Sequence, residues 1–232
     1  GTGQSLPALY NDDLVVPLLE RQGIALEDAR DYCRAGCSQV VIPGRSHFTC
    51  DIGVFNALKC LELALHDGLD LRTGRQAGPR TGKAPDLATL DAVLDAWKTQ
   101  VRHAVRVGTA LADRDNTFRK DFCSSVRSLL TADCLQRGHG IFRGGARYNA
   151  VQHEIVGLTN TADSLAGIRA MVFESRALDL EELVDILDRD FADREDVRRA
   201  LLERAPKFGN DDDRVDRLRV EVSRFFYDEV RK

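Results

Sequence analysis

The stretch from Gly36 to Gly44, Gly-Cys-Ser-Gln-Val-Val-Ile-Pro-Gly, sets the strongest limit on how this chain folds. Helical patterns precede it, from Leu26 to Tyr32, and follow it, from Asp51 to Asp67, but these residues cannot extend a helix. Gly36 opens the break, Ser38 to Ile42 has strand character, and Pro43-Gly44 is a turn dipeptide. A thiol on a short loop between rigid elements is held in place by its scaffold, which makes Cys37 a candidate for chemistry. The plainer reading is that a free cysteine is a small buried apolar group.

The chain is long enough, at 232 residues, for one large or two small domains with a substantial core. A net charge of −4 and the lack of any face rich in Lys and Arg argue against a nucleic-acid partner. Arg198-Arg199 and the Arg-rich last helix are interleaved with acids and read as solvated faces. No apolar run approaches the roughly 18 to 20 residues that a membrane span needs. No signal peptide is read either, so neither nucleic acid nor membrane is expected as a partner, and the expected location is cytoplasmic. The cysteines at 33, 37, 50, 60, 123 and 134 are irregularly spaced, which favours reduced thiols over a disulfide framework. The chain begins at Gly1 and ends inside a helical pattern at Arg231-Lys232, so it is expected to be an excerpt of something longer.

Most of the chain reads as helix. Asn11 caps a helix from Asp12 to about Arg21 that contains Pro17 and ends near Gly23. Glycines 68, 74, 78 and 82 and prolines 79 and 85 mark a surface connection over 68–85. Beyond it, Asp86 is expected to cap a long helix whose apolar stripe includes Leu90, Val93, Leu94, Trp97, Val101 and Val105. Further helices are expected from Asp121 to Gln136, from Thr161 or Asp163, from Leu180 to Phe191 with Asp179 as cap, from Arg194 to Arg204, and from Asn210 onward. Strand signal is confined to Ser38–Ile42 and the neighbourhood of Ile141 and Tyr148. Gly144-Gly145 before Tyr148 suggests either a backbone in close contact with a ligand or another loop, or a tight hairpin turn.

Several sites receive little support. Cys33 and Cys37 invite a metal reading, but position 40 is Val40 and the other cysteines stand singly on helices, so no metal is expected. A thiol hydrolase would need a histidine to form thiolate, and nothing turns His47 back toward Cys37. Gly144-Gly145 lies in no phosphate-loop pattern.

Seven segments, in order, carry a family resemblance: PALYNDD (7–13), LEDARDYCRAGCSQ (26–39), NALKCLELALHDG (56–68), SLLTADCLQRG (128–138), GGARYN (144–149), VGLTNTADSLAGIR (156–169) and APKFGNDDDRVD (205–216). Taken together, the chain resembles the glycyl radical enzymes, the pyruvate formate-lyase family. That resemblance implies an α/β fold, here a helix-rich portion of the second half of a ten-stranded barrel. It also implies one partial catalytic domain over 1–232, made of a cysteine loop at 33–44, the connection at 68–85 and a helical remainder at 86–232. In the family, an S-adenosylmethionine-dependent activating enzyme with an iron–sulfur cluster installs a radical on a backbone glycine. The radical passes to the loop cysteine, whose thiyl form takes hydrogen from a small substrate.

Cys37, after Gly36, matches that cysteine. A thiyl relay needs no thiolate, and the apolar run Val40, Val41, Ile42 suits it by disfavouring the thiolate form. The family's RVxGY-like radical motif is not found here, so the excerpt alone is expected to be inactive. Many family dehydratases read GCVE, with the Glu acting as a base; here the position is Gln39, whose amide can orient a substrate but not accept a proton. Gly36 also takes the place of the second cysteine that formate acetyl transfer uses. The expectation is therefore a radical lyase, decarboxylase or carbon–carbon bond-forming enzyme with catalytic Cys37 and Gln39. Substrate contacts are expected from Tyr148, Arg143 and Arg45, with Arg147 as a further carboxylate-clamp candidate. No directly bound cofactor is expected. The expected partners are a small-molecule substrate, the radical S-adenosylmethionine activating enzyme and, at full length, a second copy. The competing readings are a non-catalytic module derived from the family and an unrelated helical interaction domain.

Overall fold

The structure, a computed structural model, describes residues 10–36, 39–49 and 54–232. From the N-terminus the elements run α1 (Asp12–Arg21), α2 (Leu26–Arg30), β1 (Cys33–Ala35), β2 (Gln39–Val41), β3 (Ser46–Thr49), β4 (Val54–Asn56), α3 (Ala57–Leu65), β5 (Leu69–Asp70) and β6 (Arg75–Gln76). They continue with α4 (Leu90–Arg119), α5 (Ser125–Leu129), α6 (Cys134–Arg137), β7 (Tyr148–Val151), β8 (Glu154–Val156), α7 (Leu158–Ile168), α8 (Leu180–Asp188), α9 (Glu195–Glu203) and α10 (Asp213–Val230). Two compact units result, one from Gly1–Ile52 and Ala112–Gln152, the other from Gly53–Leu111 and His153–Lys232.

In the first unit, Asn11 accepts from the Asp13 amide at 2.9 Å and starts α1 as expected. Leu19, Ile24, Ala29 and Ile42 form one of its two small apolar centres, with Val40, Tyr32 and Tyr148 packed around them. β1 and β2 pair antiparallel, whereas β3 and β7 pair in parallel, Ser46 opposite Tyr148 through Thr49 opposite Val151. The Ser46 hydroxyl accepts from the Ile42 amide at 2.9 Å and donates to the Ile42 carbonyl at 3.1 Å. It thereby closes the Pro43-Gly44 turn with both of its hydrogen-bonding roles.

The second unit is built on one continuous core. Trp97 of α4 is fully buried, and its indole donates to the Ala57 carbonyl at 3.0 Å. Leu165 of α7 and Val215, Leu218, Val222 and Phe226 of α10 complete the core, as the helical stripes imply. Here β4 and β8 pair in parallel, Val54 opposite Glu154.

The connection over 68–85 is more ordered than its glycines suggest. Leu69–Asp70 and Arg75–Gln76 form a small hairpin, and Asp67 accepts from the amides of Thr81 and Gly82 at 2.7 and 2.9 Å. Gln100, buried on α4, donates to the Pro79 carbonyl at 2.8 Å.

Several boundaries differ from the sequence reading. Within the described residues, the helix expected from Asp51 begins only at Ala57, because Val54–Asn56 is drawn into pairing with β8 and Asn56 caps the helix, accepting from the Lys59 amide at 3.1 Å. Asp86 lies in a short 3-10 turn, and the Thr89 hydroxyl, accepting from the Ala92 amide, starts α4 instead. The expected Asp121–Gln136 helix is split into α5 and α6 by a turn in which Asp133 adopts a φ of 73°. α7 starts at Leu158 and passes into a π-helical stretch, Arg169–Glu174. Asp212, not Asn210, caps α10.

Candidate active site

The Ala35–Gln39 pairing of β1 with β2 leaves Gly36, Cys37 and Ser38 between the strands. Cys37 and Ser38 lie outside the described residues; the site is therefore built from what flanks them. Gly36 has a φ of +59°, a left-handed conformation that side-chain-bearing residues rarely adopt. A Cβ there would run into the amide oxygen of Gln39, which is only 8% exposed. The glycine before Cys37 thus has a local reason: it frees both the backbone turn and the space that the buried Gln39 amide occupies. From the other segment of this unit, Gln152 Nε2 donates to the Val40 carbonyl at 2.6 Å and holds β2 from its open side.

The charged groups expected to meet substrate have partners within the chain. Asp28, buried on α2, accepts from the Tyr148 hydroxyl at 2.7 Å and from Arg147 Nη1 at 3.2 Å, and pairs with Arg45 Nε at 3.2 Å. The Tyr148 hydrogen bond is the main cause of its lowered pKa, helped by Arg147 and Arg45 and opposed by burial. Arg45 also pairs with Asp31 at 2.5 Å. Arg143 lies apart from this group, its Nε donating to the Lys120 carbonyl at 2.9 Å.

Gly144-Gly145 is also accounted for by the chain itself. Gly144 turns at a φ of +76°, and a Cβ on Gly145 would overlap the His139 carbonyl oxygen. The close approach is made within one tight turn of the chain's own 139–145 stretch, where the Gly145 amide donates to the Gly140 carbonyl at 3.2 Å. Half-buried His47 packs edge-on against Phe142 with ring centroids 5.3 Å apart. Burial lowers its pKa, with Arg127 and Arg119 adding to the effect, so the ring stays neutral near pH 7. Cys60 lies in the core of the second unit, where burial pushes its thiol up to about 12 and makes it a poor nucleophile. Among the described residues, no group of three or more His, Cys, Asp or Glu side chains could hold a metal ion, and no helix is long and apolar enough to cross a membrane.

Sequence reasoning did not pick out Asp28. Its signal is faint: an acid beside Ala29 on the helix face that the apolar centre of the unit covers.

With that geometry in hand, comparison with known proteins decides the family. The family model described as pyruvate formate lyase-like matches residues 1–232. The chain belongs to the pyruvate formate lyase-like family, that of the glycyl radical enzymes. It is 32% identical over 99% of its length to a probable dehydratase, YbiW, of Escherichia coli K12, covering 29% of that protein. The trans-4-hydroxy-L-proline dehydratase of Clostridioides difficile is likewise 32% identical over 99% of this chain and 29% of its own length. Its crystal structure with substrate bound superposes with a TM-score of 0.91 over 97% of this chain and 28% of that one, at 29% identity. The glycerol-bound B12-independent glycerol dehydratase of Clostridium butyricum gives 0.89 over 98% of this chain and 29% of its own, at 32% identity. The chain thus spans under a third of the length of the relatives it matches. Within that span the glycyl radical enzyme fold is present as mixed helix and strand.

Proposed function

We propose that this chain is the cysteine-bearing part of a glycyl radical enzyme in which Cys37 is the hydrogen-atom carrier for a small substrate. The observation that carries this reading is the hairpin. Left-handed Gly36 and buried Gln39, at the ends of the antiparallel β1–β2 pair, flank Cys37-Ser38 in the sequence, on a chain whose family works through radical chemistry. A glycyl radical elsewhere in the full enzyme, installed by an S-adenosylmethionine-dependent activating enzyme, supplies the unpaired electron. Cys37 gives up its thiol hydrogen atom to the glycyl radical; the thiyl radical takes a hydrogen atom from a substrate C–H bond, returns it to the product radical, and then recovers one from the glycine, which becomes a radical again. The count of atoms and electrons on sulfur is restored at the end of each turnover.

Gln39 orients the substrate through its amide and does not remove a proton from it. The reaction class is a radical lyase, decarboxylase or carbon–carbon bond-forming step rather than one that relies on a carboxylate base at position 39. Several relatives are named as dehydratases; this chain keeps the scaffold and changes that group. The full enzyme would work as a homodimer in the cytoplasm.

Activation of the full-length protein under anaerobic conditions tests the proposal. A glycyl doublet in electron paramagnetic resonance is expected, with turnover lost in Cys37→Ala while the doublet remains. Undiminished turnover in Cys37→Ala would end the proposal. A protein that never develops the doublet would favour a non-catalytic module, the reading to which the missing base at Gln39 otherwise points.

A further inference from the structure

Asp28 joins the two sides of the cysteine hairpin through one carboxylate. It lies on α2, which leads into β1. One of its oxygens pairs with Arg45 Nε at 3.2 Å, just beyond the Pro43-Gly44 turn that follows β2. The other accepts from Tyr148 and Arg147 at the start of β7. Each donor is anchored a second time. Arg45 reaches Asp31 at 2.5 Å, Arg147 Nη2 reaches Asp133 at 3.2 Å, and the Tyr148 hydroxyl accepts from the Ala25 amide at 3.2 Å. The backbone joins the same corner, the Tyr148 amide donating to the Arg45 carbonyl at 3.0 Å. The segment from 28 to 45 is thereby closed on itself by a charge-assisted contact, with the hairpin inside the closure.

We propose that Asp28 is a positioning residue that fixes β1 and β2, the strands on either side of Cys37 in the sequence, for hydrogen-atom transfer, with Arg45, Arg147 and Tyr148 serving as its partners. Its catalytic half rests on the reading of Cys37 given above; its structural half does not. Hydrogen-atom transfer requires the two reacting atoms close to contact, and a misplacement of about 1 Å can cost about 100-fold in rate. Asp28→Asn keeps the shape of the side chain but removes the charge that two guanidinium groups share.

The test uses Asp28→Asn in the full-length protein with two readouts. Amide hydrogen exchange over residues 33–41 is expected to quicken at least about tenfold, while peptides from α10 stay unchanged. After activation, kcat is expected to fall about 10- to 100-fold with KM within about twofold and the glycyl doublet undiminished. Asp28→Glu, which restores the charge, should recover part of kcat. Unchanged exchange in the hairpin would overturn the positioning role whether or not Cys37 carries a radical. A raised KM with unchanged kcat would also overturn it, by showing that the guanidinium groups bind substrate. Faster exchange in a protein that never forms the doublet would uphold the structural role and reject the radical reading instead. Should Asp28→Asn fail to fold, Tyr148→Phe removes one donor from the same carboxylate. A smaller change in the same direction is expected there, and no change in either readout would refute the proposal.

Discussion

In the second unit, residues from α3, α4, α7, α8 and α10 meet in one apolar core, with Trp97, Leu165, Leu183, Val215 and Phe226 all but sealed from solvent. The first unit has two small apolar centres instead. One is formed by Leu19, Ile24, Ala29 and Ile42, the other by Cys134, Ile141 and Ala146. Between them run the contacts of Asp28, Arg45, Arg147, Asp133 and Tyr148. Apolar burial is strong but has no direction, so it makes a stable unit without fixing any one atom finely. Hydrogen bonds to charged groups are directional, and in the first unit a linked set of them around Asp28 ties α2 to the residues just beyond β2 and to the start of β7. The second unit thus rests on one large apolar core, and the first on two small ones joined by a charged network.

The comparison can be broken most forcefully at Trp97. Trp97→Ala empties a fully buried site and leaves the Ala57 carbonyl without its indole donor, at an expected cost of about 3–5 kcal/mol in chemical denaturation. Exchange protection of the β1–β2 amides should be the same as in the unsubstituted protein. Selective early loss there would mean that the first unit leans on the second for its order.

A smaller effect is expected at Gly36. Gly36→Ala has to enter the left-handed region and meet the Gln39 amide, for about 2 kcal/mol in all. Adding Gln39→Ala should return the part due to the collision and not the part due to the backbone. A double-mutant cycle separates the two, and full recovery would show that φ at position 36 is not under strain.

The most local effect comes from acid. The folded-state pKa of Asp28 lies below the usual carboxylate value. Its contribution is therefore complete above the unfolded value near pH 4 and is lost as the pH falls through the lower, folded value. Hydrogen exchange measured while lowering the pH below about 4 should loosen α2 and β1–β2, while Trp97 fluorescence still reports an intact second unit. Simultaneous loss of both signals would remove the distinction between the units.

How far each part was legible in sequence follows the range of the forces involved. The starts of α1 at Asn11 and of α8 at Asp179 were read correctly, since a side chain accepting from an amide two or three residues on is a local event; α8 ends at Asp188, short of the expected Phe191. The strand segments were mostly missed. They are two to four residues long, and β3 and β4 take their partners from about a hundred residues further along the chain, where no periodicity can point to them. The cysteine stretch stood out because Gly36 and Pro43-Gly44 forbid helix, and the family was legible from the ordered motifs. Asp28 was not, because its meaning depends on groups that only the fold brings to it. Gly145 was legible as a close approach, but the neighbour it approaches, the His139 carbonyl, was not.

The first unit is assembled from two stretches of chain with part of the other unit, Gly53–Leu111, encoded between them. During synthesis Asp28 emerges 119 residues before Arg147 and 120 before Tyr148. Until then its nearby cations are those of its own stretch, Arg45 among them. Pairings across such long separations form late, since chain entropy opposes them until much of the fold is in place. The nascent polypeptide is thus expected to carry a β1–β2 pair whose Asp28 contacts are completed only when its distant half arrives, so the maturation of this pair is timed by the order of the gene.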